Sequence, residues 1–190
     1  LYGENDGQKK DIIETVKKKY ENSQFHIFFQ NEVIKDSQVL FEEVNNVSLF
    51  SSSKIILIRE ANDKIFEILR EILNKKLNNI KLIITSNILE KKSKLRNYFE
   101  KSQDCAIVAC YQDNEITIKK IISSQLSSFK GLTPHLINQI LLSCGLDRDK
   151  VNNEIEKIKI CFKEKIIDPT KIEELLNIAT NEDFNKLKDE

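Results

Sequence analysis

Ile55-Ile56-Leu57-Ile58 places four aliphatic side chains in a row with no polar residue between them. A strand with one wet face alternates apolar and polar residues. An unbroken run reads instead as a strand covered on both faces, the mark of a parallel sheet. Working outward, similar runs recur at Phe25-His26-Ile27-Phe28-Phe29, Leu82-Ile83-Ile84 and Cys105-Ala106-Ile107-Val108-Ala109, and Leu1-Tyr2-Gly3 reads as the end of a strand entering a turn. Helical spacing fills the intervals. Residues 9–20 carry Ile12, Ile13, Val16 and Tyr20 on one face. Asp36 caps a helix with Val39, Leu40 and Val44 inward, and Asn62 or Asp63 caps one with Ile65, Ile68, Leu69, Ile72 and Leu77 inward. A basic helical turn runs from Lys91 to Lys101. Strand and helix thus alternate to about residue 111. The expectation is a five-stranded parallel sheet with right-handed crossovers, covered by helices in a three-layer α/β domain of nucleotide-binding type over residues 1–112.

Beyond Tyr111 no strand signal remains. Asp113 or Asn114 opens a helix with Ile118, Ile121, Ile122, Leu126 and Phe129. Thr133-Pro134 opens the next, which ends at Gly145. Asp147 caps a third with Val151, Ile155, Ile158 and Phe162, and Asp168-Pro169 starts a fourth with Ile172, Leu175, Leu176 and Ala179. Residues 113–180 are expected to form a small all-α domain, and the polar residues 181–190 a linker towards a further domain.

The 190 residues suffice for two compact units. Thirty Lys and Arg balance thirty Asp and Glu, which argues against nucleic-acid binding by bulk charge while leaving room for a local basic stripe. No apolar run approaches the length of a membrane span and no signal peptide is visible. The chain starts without Met, so the expectation is that its true N-terminus lies upstream. Cys105, Cys110, Cys144 and Cys161 lack metal-ligand spacing and read as reduced, mostly buried thiols of a cytosolic protein, with no metal and no cofactor.

Chemistry is sought first in the turn after Leu1-Tyr2-Gly3. A working phosphate loop reads G-x-x-x-x-G-K-[ST]: backbone amides cradle phosphates, Lys reaches the outer ones and a hydroxyl holds Mg²⁺. Aligned from Gly3, Lys9 takes the lysine position, but Gln8 stands for the second glycine and Lys10 for the hydroxyl; Gly7 falls one place early. Arg59 ahead of Glu60 stands where an acidic metal partner is needed. Gly3, Gly7 and Lys9 therefore read as a degenerate loop without ATP hydrolysis. The cluster Lys91, Lys92, Lys94 and Arg96 reads either as a solvated helix face or as a contact for an acidic partner or a DNA backbone. His26 and His135 have no acid-base partner nearby in sequence and read as structural. Val47-Ser48-Leu49-Phe50-Ser51 is the anomaly: two large apolar residues on a serine-rich connector just before the third strand. They either fold under the sheet edge or anchor a partner.

Four stretches carry a family likeness: Leu1-Tyr2-Gly3-Glu4-Asn5, Ser48-Leu49-Phe50-Ser51, Leu89-Glu90-Lys91-Lys92-Ser93-Lys94-Leu95-Arg96, and Gly145-Leu146-Asp147-Arg148 leading into Asn153-Glu154-Ile155-Glu156-Lys157-Ile158. In order and spacing they resemble the delta subunit of bacterial DNA polymerase III, the clamp-opening subunit of the sliding-clamp loader. The resemblance implies a RecA-like AAA+ domain and a helical lid, without the collar domain that assembles the loader. It implies no ATPase activity in this subunit. It also implies that Leu49 and Phe50, on a loop shaped by Val47 and Ser48, insert into the beta sliding clamp and favour an opened ring. The implied partners are that clamp and the tau or gamma and delta-prime loader subunits, with DNA handled by the assembly and no membrane. The rival readings are an active P-loop ATPase and a delta-prime-like structural subunit. The latter commonly carries zinc-binding cysteines, and the spacing here gives them no support.

Overall fold

The structure, a computed structural model, describes residues 1–46, 53–75, 77 and 79–176. Three strands pair in parallel in the order β1 (Gln24–Phe29), β2 (Lys54–Arg59), β3 (Ile80–Ile84), with Phe25 opposite Ile55 and Ile55 opposite Lys81. The central strand β2 behaves as its composition demands. Ile55, Ile56, Leu57 and Ile58 are all buried. Ile56 and Ile58 join a cluster with Leu40, Val44, Ile65, Leu69, Ile72 and Leu95. Ile55 and Leu57 point to the other face by the two-residue alternation of a strand and are buried there as well.

The expected five-stranded sheet is not what forms. Leu1-Tyr2-Gly3 and residues 105–109 contribute only isolated parallel bridges, Tyr2 to Ser86 and Tyr2 to Ala109. An apolar run becomes a strand only where a partner ladder runs alongside it, and among the described residues the 105–109 run is bridged by Tyr2, at Ala109. β1 also departs from expectation. It is an edge strand, half-exposed along its length, and Ile27 is 45% exposed. Its apolar run does not signal burial on both faces: among the described residues its strand partner is β2, on one edge.

Helix α1 (Asp6–Lys19) starts earlier than its apolar spacing suggests because Asn5 Oδ1 accepts from the Gln8 amide at 2.9 Å. The short α2 (Gln30–Lys35) is unmarked by any apolar repeat; the Glu32 carboxylate closes its first turn by accepting from Phe29 N at 3.0 Å. In α3 (Ser37–Asn45), Asp36 caps Gln38 N, and Leu40 and Val44 face inward. Val39 does not: it is 49% exposed. Asn62 caps a 3-10 turn at Asp63–Ile65 that leads into α4 (Phe66–Asn74), and Ser93 caps α5 (Lys94–Lys101).

The chain divides into two compact units, Leu1–Gln112 and Asp113–Glu190. In the second, α6 (Glu115–Gln125), α7 (Pro134–Cys144), α8 (Arg148–Cys161) and α9 (Pro169–Leu175) enclose a core of Ile118, Ile122, Leu126, Ile140, Val151, Ile155 and Ile158, all fully buried. Each start is capped by the side chain just ahead of it: Asn114, Thr133, Asp147 and Asp168 accept from the amides of Thr117, Leu136, Lys150 and Thr170. Gly145 closes α7 at φ +64°. Ala179 lies outside the described residues. Of the four thiols, Cys110 and Cys144 are buried, Cys105 is half-buried and Cys161 is exposed. Cys161 corrects the expectation of burial: it falls in the last turn of α8, off the buried face formed by Val151, Ile155 and Ile158.

Candidate functional site

Val47, Ser48, Leu49 and Phe50 lie outside the described residues. What the structure defines are the contacts of the residues that flank this interval, Asn46 and Ser53. Asn46 ends α3 and Ser53 precedes β2. Between them stands Lys54, a lysine whose side chain is only 6% exposed. Its Nζ donates to the Glu43 carbonyl at 2.8 Å and the Asn46 carbonyl at 3.0 Å, and pairs with the Glu43 carboxylate. The last carbonyls of a helix have no intrahelical donor and carry the negative end of the helix dipole, so an ammonium there is stabilised twice. His26 Nε2 lies 3.5 Å from the same carboxylate. On the other side, the hydroxyls of Ser23 and Ser53 share a hydrogen bond of 2.5 Å, and Gln24 N donates to the Ser53 carbonyl at 3.2 Å. Both ends of the six-residue interval are therefore fastened to the sheet. Sequence reading missed Lys54. The signal was present: a lysine opening an otherwise aliphatic central strand needs an acceptor inside the protein.

The degenerate loop is closed on itself. Gly3 has φ +127°, and a Cβ there would stand 2.1 Å from the Cys110 carbonyl oxygen, so this glycine serves a close backbone approach. Gly7 is not in the loop at all but buried inside α1. The Lys9 ammonium is buried too; it donates to the Ser86 carbonyl at 3.1 Å and pairs with Asp6 at 2.8 Å. Asn5, whose side chain caps α1, also reaches the Tyr111 carbonyl through Nδ2 at 3.0 Å. The lysine that would face phosphates, and the Gln8 amide beside it, thus have partners within the chain. Arg59 and Glu60 are both exposed, and Glu60 has φ +59°.

The basic cluster is not one surface. Lys91, Lys92 and Lys94 are exposed, and Lys92 lies 3.1 Å from Glu90. Arg96 is instead turned inward. It pairs with Glu100 at 2.8 Å, donates to the Leu89 carbonyl at 3.2 Å and lies 5.1 Å from the centre of the Tyr2 ring. A clip holds the segment from outside. The Asp63 carboxylate accepts from Ser93 Oγ at 2.6 Å and from the amides of Lys94 and Leu95 at 3.0 and 3.1 Å. Burial raises the Asp63 carboxyl, but these hydrogen bonds outweigh it and hold the group below its usual range.

In the second unit, Asp113 and Arg148 form a two-pronged pair of 2.7 and 2.6 Å, with the aspartate side chain 4% exposed.

No family model matches the chain. Among curated proteins it is similar to a probable DNA polymerase III subunit delta of Rickettsia prowazekii, 24% identical over 159 residues, which cover 83% of this chain and 48% of that protein. Among solved structures it is similar to the DNA clamp loader delta protein of Bacillus subtilis, with a TM-score of 0.68, 10% identity, and coverage of 96% of this chain and 58% of that one. The chain spans about half the length of the curated relative it matches. The chain is thus similar in sequence to a probable DNA polymerase III subunit delta and in fold to a clamp loader delta protein.

Proposed function

We propose that this chain is the clamp-contacting part of a clamp-loader delta subunit. Leu49 and Phe50 enter a hydrophobic cleft of the sliding clamp, Val47 and Ser48 shape their loop, and binding favours a ring with one interface open. Residues 1–112 act as the RecA-like AAA+ domain and residues 113–180 as the lid, with 181–190 leading to a collar. The observation that carries this reading is the mount. An interval containing two large apolar residues is fastened at Asn46 by Lys54 and at Ser53 by Ser23 and Gln24. A fixed base lowers the ordering cost that an anchor incurs on binding. A ligand shifts a closed-to-open equilibrium only by binding the open form better, and a rigid sheet can deliver such a difference. The subunit works without hydrolysing ATP, in keeping with a lysine committed to Ser86 and Asp6. Control by ATP falls to the tau or gamma subunits, with delta-prime as a further neighbour, and Lys91, Lys92 and Lys94 offer a contact for DNA or an acidic partner.

The test is clamp binding by the Leu49→Ala/Phe50→Ala variant. Two such side chains contribute roughly 3–6 kcal/mol on burial, so affinity for the clamp of the same organism should fall at least about 100-fold, with the melting temperature nearly unchanged. Loss of folding in that variant would return both residues to the core and remove the proposal. The rival ATPase reading is tested by calorimetry with Mg-ATP, where no binding is expected.

A further inference from the structure

Helix α7 carries no Lys, Arg, Asp or Glu, in a chain where 32% of residues are charged. Its inner side, Leu136, Ile140, Leu141 and Cys144, is buried in the core of the helical unit. Its outer side has no charge, and Leu142 there is 82% exposed. A solvated helix face normally carries charged side chains, so a face without them is suited to being covered. Between α7 and α6 lies an open groove of about 510 Å³. Its apolar lining is Ile116, Pro134 and Ile137; Ile116 is 64% exposed, and Ile137 is half-buried against the core. Lys119 and Lys120 line the same groove from α6. Lys119 lies 3.6 Å from Glu115, an exposed pair of little strength. Lys120 is exposed and has no carboxylate partner among the described residues. From Ile116 to Leu146 the sequence holds Lys119, Lys120 and Lys130 and no Asp or Glu.

We propose that the α6–α7 groove docks an acidic peptide segment of another protein. An aliphatic or aromatic side chain of that segment enters between Ile116, Pro134 and Ile137, and carboxylates beside it reach Lys119 and Lys120. The charge pattern selects this occupant. Apart from Glu115 neither helix carries a carboxylate, so the face receives negative charge without like-charge repulsion. The apolar floor supplies the anchor and the two lysines at the rim fix its orientation, the usual division of labour in a protein interface. A second copy meeting this face across a two-fold axis would set Lys119 and Lys120 against their own equivalents. A nucleic-acid strand fits less well: unpaired bases stack on aromatic rings, and none of the residues lining the groove is aromatic. The surface belongs to the helical unit and is independent of the roles proposed for Leu49 and Phe50.

The experiment is fluorescence anisotropy on the full 190-residue chain with labelled peptides of about 12 residues. The probe has Glu and Leu in amphipathic helical spacing; its Gln/Leu, Glu/Ser and Lys/Leu counterparts are the controls, and labelled oligo-dT is the nucleic-acid arm. Expected is saturable binding of the Glu/Leu peptide, at least about 10-fold weaker for the Gln/Leu and Glu/Ser peptides and falling as salt is raised. Ile116→Ser should weaken it about 10-fold. Lys119→Glu/Lys120→Glu should weaken it by at least as much and should gain binding of the Lys/Leu peptide. Amide chemical-shift changes on adding the Glu/Leu peptide should gather on α6 and α7. The proposal is overturned by equal binding of the Glu/Leu and Gln/Leu peptides, by undiminished binding in both variants, or by shift changes that gather elsewhere in the chain. It is likewise overturned if no peptide saturates below about 1 mM, or if oligo-dT binds more tightly and displaces the peptide.

Discussion

Replacing Lys54 by Met keeps the aliphatic stem and removes the ammonium. Three acceptors then lose their donor: the carbonyls of Glu43 and Asn46 and the Glu43 carboxylate. Breaking a buried ion pair from one side costs about 3–5 kcal/mol, because the surviving charge is left without compensation. Glu43 keeps 20% of its side-chain exposure, so water recovers part of that loss and the lower figure applies, about 3 kcal/mol. For a domain of this size that is a fall in melting temperature of more than about 10 °C. The assay is urea denaturation of Lys54→Met, Glu43→Gln and the double variant. The double variant should lose less than the sum of the two singles, since the residues share one interaction. At a temperature where Lys54→Met is still folded, clamp affinity should also fall, with Leu49 and Phe50 untouched. A cost for Lys54→Met below about 1 kcal/mol would refute the reasoning: the contacts would then be those of a surface pair, and the loop would have no fixed mount.

The remaining predictions concern other contacts. Gly3→Ala would put a methyl group 2.1 Å from the Cys110 carbonyl at a φ of +127°; a loss above about 2 kcal/mol is expected by chemical denaturation. Arg148→Ala leaves the Asp113 carboxylate buried without its two-pronged partner, and a loss of about 3–5 kcal/mol should appear in the melting of the helical unit. The Asp63 carboxyl sits below its usual value in the folded chain. Its contribution is therefore present above the unfolded carboxyl value, about pH 4, and is lost as pH falls through the folded value. Asp63→Asn should cost about 1 kcal/mol at neutral pH and flatten the acid limb of a stability–pH curve. Thiol labelling should modify Cys161 first and Cys144 late, because burial both shields the Cys144 thiol and raises its pKa.

How much of this could be read from residues alone follows the range of the interactions involved. The helical unit was legible because its boundaries are written locally: Thr133-Pro134, Gly145, Asp147 and Asp168-Pro169 satisfy the amides and carbonyls within a residue or two of themselves. The central strand was legible because Ile55 to Ile58 have no other tolerable environment. The run at 105–109 was not. It is as apolar as β3, but strand formation depends on what lies alongside, and among the described residues its bridge is to Tyr2. α2 escaped notice because its six residues hold no apolar repeat and its first turn is closed by one glutamate. For the candidate site, reading Lys9 as the remnant of a phosphate loop named the residue but not its occupation with Ser86 and Asp6. Arg96 looked like one more exposed cation, yet Glu100, Leu89 and the Tyr2 ring hold it, contacts set by folding and not by charge spacing.

The exposed flank of β1 has a consequence for how the protein behaves at high concentration. Among the described residues β1 shares ladder hydrogen bonds with β2 on one edge, so its outer rim offers amides and carbonyls in register for a second copy. Six residues of largely aromatic and aliphatic chain, Ile27 among them, make that rim adhesive. The Lys17 ammonium, which pairs with Glu14 at 2.9 Å, lies 4.2 Å from the Phe25 ring centre. Lysine beside an open rim is a means of keeping like molecules apart. Solubility in this chain, whose formal charges sum to zero, is then a matter of where each lysine stands and not of how many there are.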